Sequence, residues 1–114
     1  MIQERKEFLS DVIITAVEGG IGYWAEVKDY QFGSDEASAM IRVTDDLQVG
    51  PWRTLSIHTI QRGIKRLATG KYGLSQTLLD WIVGGSATNE AGNIDSDCAD
   101  VIVQVGILDE IVYG

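Results

Sequence analysis

Thirteen glycines and a single proline cut this 114-residue chain into short segments, so no helix or strand can run far before it is stopped. Within the segments the apolar residues recur at readable intervals. Ile2 to Glu18 carries Phe8, Leu9, Val12, Ile13, Ala16 and Val17, the spacing of one helix face, and Gly19-Gly20 are expected to end that helix in a left-handed C-cap. From Gly22 to Phe32 the pattern alternates. Tyr23, Ala25 and Val27 fall on one side, and Trp24, Glu26, Lys28 and Tyr30 on the other, which predicts a strand. A polar turn, Gly33 to Glu36, leads to a second strand over Ala39 to Thr44 that forms a hairpin with the first.

Leu55 to Ile57 reads as a third short strand or the lead-in to a helix. Thr59 to Ala68 is amphipathic, with Ile60, Ile64 and Leu67 inward and Arg62, Lys65 and Arg66 outward. Ser75 is the expected N-cap of a helix that carries Leu78, Leu79, Trp81, Ile82 and Val83 and closes at Gly84-Gly85, with Trp81 in the core. Asp95 or Ser96 caps a last helix from Asp97 to about Leu108, and Ile111 to Tyr113 are expected to add an edge strand. The prediction is one α+β domain over residues 1–114: a small antiparallel sheet of two to four strands packed with about four helices.

Charge is unevenly placed. The net charge is -8, and residues 72–114 hold seven acids and no base, whereas Arg53 to Lys71 holds five bases and no acid. An acidic surface attracts cationic partners and repels nucleic acid and anionic membranes. One cysteine, Cys98, rules out an intrachain disulfide and points to a reducing compartment. With no apolar run at the N-terminus long enough for a signal peptide or a span, a cytoplasmic location is expected.

No motif specifies a reaction. Glu18-Gly19-Gly20-Ile21-Gly22-Tyr23-Trp24 is glycine-rich, but its glycines follow a helix, whereas a phosphate cradle needs them before one, so a structural corner is expected. Asn93, Asp95, Asp97 and Asp100 resemble a calcium loop only in outline. Counted from Asn93 or Asp95, the sixth position is Cys98 or Asp100 and the twelfth is Gln104 or Gly106, so the required glycine and glutamate are missing and no metal is expected. Cys98 and His58 form a thiol dyad only on paper, and a packed cysteine is expected. Glu18, Tyr23 and His58 are the least implausible catalytic cluster; neither catalysis nor a cofactor is expected.

Two segments carry a resemblance. Phe8 to Trp24 and Gly92 to Gly114, together with the helix Thr59 to Leu67, resemble a family of small proteins of actinobacterial phages and related bacterial genomes that has no assigned activity. The resemblance implies a phage or mobile-element setting, where small acidic proteins act against host machinery. On that basis the expected function is non-enzymatic binding of a bacterial host protein through an acidic surface, in the concrete form of an anti-CRISPR or anti-restriction inhibitor.

The acids expected at that surface are Asp35, Glu36, Asp45, Asp46, Asp95, Asp97, Asp109 and Glu110, with Trp52 and Arg53 as a loop anchor. Two alternatives stand beside this reading. One is a DNA-associated accessory protein using Arg53, Arg62, Lys65, Arg66 and Lys71. The helix they adorn and the next one mimic a helix-turn-helix, although the second carries no positive charge and reads as buried. The basic stripe reads more simply as a solvated face that pairs with the acidic third, within one molecule or across a homodimer. The other alternative is a phage structural component that self-associates through its apolar C-terminal helix.

Overall fold

A computed structural model describes residues 1–33, 36–45 and 49–114. The predicted α+β class holds: four helices pack with a three-stranded antiparallel sheet. Helix α1 (Gln3–Thr15) buries Phe8, Leu9, Val12 and Ile13, the face its spacing predicts. It runs on into five residues of π-helix, Ala16–Gly20. Neither Gly19 nor Gly20 has a positive φ, so the expected left-handed cap is absent. Gly20 is small for a different reason. A Cβ there would lie 2.9 Å from the Ser96 carbonyl oxygen, because this turn backs directly onto another helix.

Strand β1 (Ala25–Gln31) begins three residues later than the alternation suggests. Gly22 to Trp24 form a turn, closed by Trp24 N–H donating to the Ile21 carbonyl at 3.1 Å, and the turn resets the facing of the chain. Trp24 and Ala25 are therefore both buried, while Tyr23 is exposed. The hairpin with β2 (Ser38–Val43) forms as predicted, in the register Ala25↔Val43 and Val27↔Ile41, with a bulge between Lys28 and Gln31. The third strand, β3 (Arg53–Leu55), pairs with β2 through Ala39↔Leu55 and Ile41↔Arg53. Ala39, Ile41 and Leu55 face the helices and are buried, and Glu26, Lys28, Met40, Arg42 and Thr54 occupy the outward face.

Helix α2 (Ile57–Leu67) starts two residues before the predicted point, its first turn closed by the Ser56 N–H bonded to Thr59 Oγ1 at 3.1 Å. Ile60, Ile64 and Leu67 are buried as expected. Ser75 caps α3 (Gln76–Thr88) by accepting the Leu78 N–H, but the helix passes through Gly84-Gly85 and ends at Asn89, which takes the left-handed conformation at φ 56°. Only Ile82 of this helix is buried, and Trp81 is 40% exposed rather than in the core. The two positions are successive, 100° apart around the helix, and only one of them can meet the α2–α4 layer.

Helix α4 (Ser96–Leu108), capped by Asp95, is the centre of the molecule, buried from Cys98 to Ile107 at every position but Val101. Its backbone meets that of α2 at two glycines, Gly63 and Gly106. Residues 109–114 form no strand, correcting the expected edge strand over Ile111 to Tyr113. No helix among the described residues is long and apolar enough to cross a membrane.

Candidate functional site

The first polar cluster to explain is one inside α4. An apolar helix that carries Asp100 and Gln104 four residues apart stacks two polar side chains on one face, and here that face is interior. Asp100 is only 7% exposed and Gln104 is fully buried, so both require partners. The Asp100 carboxylate accepts three hydrogen bonds: from the Tyr23 hydroxyl at 2.5 Å, from Trp24 Nε1 at 2.8 Å and from Gln104 Nε2 at 3.0 Å. Gln104 uses its whole capacity. Its Oε1 accepts the Val112 and Tyr113 amides at 2.8 and 2.9 Å, and its Nε2 also donates to the Tyr113 carbonyl at 3.1 Å.

The glutamine amide thus ties down the C-terminal tail, which joins no strand of the sheet. The clamp holds the Tyr113 ring flat on Trp24, with centroids 5.3 Å apart and planes 6° from parallel. Two open clefts flank this stack. One, of about 390 Å³, is lined by Tyr23, Trp24, Thr44, Asp45 and Tyr113. The other, of about 420 Å³, lies across Tyr23 and includes Asp97, Asp100, Ile111 and Tyr113. Sequence reasoning missed Asp100, Gln104 and Tyr113 as a unit. The readable signal was the polar i, i+4 pair inside an otherwise apolar helix.

The predicted acids divide. Asp35 and Asp46 lie outside the described residues. Glu36 sits 3.6 Å from Lys6 at the far end of the hairpin, and Asp45 lines the 390 Å³ cleft. Asp95 accepts the Cys98 amide at 2.9 Å as the α4 N-cap, while Asp97 and Glu110 are exposed. Asp109 is bound by the Tyr72 hydroxyl at 2.5 Å and lies 3.6 Å from Arg66. Asp45 and Asp97 therefore border the paired clefts, and Glu36 does not.

The structure parts Trp52 from Arg53. Trp52 is half-buried on the outward sheet face, with Lys28 Nζ 4.2 Å and Arg42 Cζ 4.5 Å from its ring centroid. Arg53 reaches the other way, to the Ile107 carbonyl at 3.3 Å. Arg62 and Arg66 do the same at Gly106 and Val105, both at 2.9 Å. Three arginines thereby satisfy the last carbonyls of α4 and complement the negative end of its dipole. Lys65 and Lys71 remain exposed. The helix after the basic stripe, expected to be buried, is mostly exposed.

Glu18 accepts from the Tyr30 hydroxyl at 2.9 Å, Tyr23 is held by Asp100, and His58 is exposed on the first turn of α2, so these three do not form one cluster. Among the described residues no three His, Cys, Asp or Glu side chains group as a metal site would require. Cys98 is packed in the core. No family model, no curated protein and no solved structure matches this chain.

Burial and hydrogen bonding shift three groups in one direction. Burial of its hydroxyl and the bond to Asp100 push Tyr23 up to about 12; burial and Glu18 do the same to Tyr30. Burial, with Asp95 beside it, pushes the Cys98 thiol up to about 12. Each group keeps its proton in the folded state at a pH where the unfolded chain releases it. Their stabilisation is complete below the unfolded values of about 8.5 for the thiol and 10 for the phenols, and is lost as pH rises towards 12. The urea midpoint is expected to fall steadily over that interval, and Tyr23→Phe to flatten the fall above pH 10. A midpoint independent of pH there would contradict the hydrogen-bonded hydroxyls and the buried thiol.

Proposed function

We propose that this chain is a non-enzymatic interaction protein that binds a bacterial host protein through its acidic surface. One observation supports this above the others: all five arginines are engaged inside the molecule. Arg5 bonds Gln61, Ser86 and Asn89, Arg42 pairs with Glu26, and Arg53, Arg62 and Arg66 hold the end of α4. The guanidinium donors are thus committed to partners within the chain, while Asp97 and Glu110 face solvent. A surface of that sign docks on the lysines and arginines of a partner.

The concrete form is an inhibitor that occupies the phosphate-binding positions of a nucleic-acid-handling defence complex, in the phage setting implied by the resemblance of Phe8 to Trp24 and Gly92 to Gly114. The accessory DNA-binding reading loses support because the arginines it needs are on helix carbonyls. Self-association through α4 loses support because that helix is interior.

The test is capture of host proteins from a nuclease-treated bacterial lysate, eluted with salt and then with duplex DNA. Retention is expected to fall roughly tenfold between low and high salt, since exposed charges are screened within about 10 Å at 0.1 M. The double variant Asp97→Lys, Glu110→Lys is expected to weaken it further, and DNA to displace the partner. Binding indifferent to salt, charge reversal and DNA would refute the electrostatic reading.

A further inference from the structure

One cleft departs from the charge of the rest of the surface. It lies where α1, α2 and α3 meet, has a volume of about 380 Å³, and takes its walls from Arg5, Gln61, Lys65, Ala68, Val83 and Ala87, with no acid among its described lining residues. Four other clefts among the described residues each hold at least one acid. The volume falls in the range of ligand pockets, about 300–1,000 Å³. Apolar surface is open to solvent there, since Val83 is 40% exposed and Ala68 and Ala87 are exposed.

Gln61 and Lys65 stand four residues apart on α2, so both side chains border the same edge of the cleft. Arg5 Nε donates to Gln61 Oε1 at 3.0 Å, which fixes the amide and turns Nε2 into a donor without a partner. Neither Gln61 Nε2 nor Lys65 Nζ has an acceptor among the described residues. Arg5 is committed to Gln61, Ser86 and Asn89, so its donors hold the three helices together. Those acceptors are all neutral, and the guanidinium charge is left uncompensated beside the cleft.

Two adjacent donors, a fixed positive charge and open apolar surface match one class of ligand, a monocarboxylate with an apolar body. Its oxygens accept from Gln61 Nε2 and Lys65 Nζ, and its hydrocarbon covers Val83 and the two alanines. A phosphate group would bring more charge and more acceptor oxygens than these two donors satisfy. An ammonium would be repelled by Lys65 and Arg5. We propose that this cleft binds such a carboxylate as a small molecule, at a site that shares no residue with the acidic surface.

The probe is octanoate, titrated into the full chain beside octanol and octylammonium while the methyl resonances of Val83, Ala68 and Ala87 are followed. Octanoate is expected to shift all three signals, octanol to bind several-fold more weakly, and octylammonium more weakly still. That order runs against the net charge of -8, which favours the cation over the surface as a whole. Lys65→Gln, at an exposed side chain, is expected to weaken octanoate several-fold. Gln61→Glu keeps the oxygen that Arg5 needs but replaces the donor with a repelling oxygen, and is expected to weaken octanoate about tenfold. Lys71→Gln, at an exposed lysine outside the cleft, is expected to change nothing. No response at the three methyls, octanol or octylammonium binding as tightly as octanoate, or octanoate binding unchanged in both cleft variants would overturn the proposal.

Discussion

Gly106→Ala is expected to destabilise the protein by about 2 kcal/mol or more, lowering the thermal midpoint by roughly 10 °C. Two effects oppose each other at this position. Alanine favours the helix over glycine by about 1 kcal/mol. The added Cβ, however, would stand 2.5 Å from the Thr59 carbonyl oxygen, a backbone atom of α2 that can move only if the helices separate. Overpacking of that kind typically costs about 1–3 kcal/mol and occasionally more, so the steric term wins.

Gly63 makes the reciprocal contact. A Cβ there would lie 2.3 Å from the Ile102 carbonyl oxygen, and Gly63→Ala is expected to do at least as much harm. Gly84 supplies the control, since nothing lies within 4 Å of its added Cβ in an exposed stretch of α3. Gly84→Ala is expected to stabilise by up to about 1 kcal/mol. Thermal unfolding of the three variants decides the matter, and a harmless Gly106→Ala would mean that α2 and α4 do not cross so closely.

Gln104→Leu is the second large effect. Leucine fills nearly the same space but offers no partner to the Val112 and Tyr113 amides or the Tyr113 carbonyl, and removes one donor from Asp100. Leaving such groups unsatisfied costs about 1–3 kcal/mol each, so the cheaper outcome is release of the tail into water. Expected signs are fast amide exchange at Val112 and Tyr113, a changed near-ultraviolet signal from Trp24 as its stack with Tyr113 is lost, and a fall in stability of about 2–3 kcal/mol. Slow exchange at both amides in the variant would show that Gln104 is not what holds the tail.

Most of the secondary structure was legible because it depends on neighbours in sequence. The α1 face, the Ala25–Val43 hairpin, the inward triad Ile60, Ile64 and Leu67, and the caps at Ser75 and Asp95 all follow from periodicity or from one side chain satisfying an amide three residues on. Glycine was the misleading residue. Gly19-Gly20 and Gly84-Gly85 read as stops, yet Gly20 and Gly85 are small because a Cβ on either would come within 3 Å of a backbone oxygen, that of Ser96 or of Glu90. Sequence shows that a Cβ is missing; only packing shows why.

The same boundary separates what was and was not readable at the candidate site. Asp97 and Glu110 were recognisable as solvent-facing charge, and the bases of Arg53 to Lys71 as a stripe with no acid within it. That Arg53, Arg62 and Arg66 would turn onto three successive carbonyls at the end of α4 was not, because the acceptors lie 39 to 54 residues away and are backbone atoms common to every residue. Sequence determined the class of fold, its segment order and its net charge, all of which are local or additive. Tertiary structure decided which polar groups meet, since burial obliges Asp100 and Gln104 to find donors and acceptors, and the chain supplies them from a turn and a tail remote in sequence.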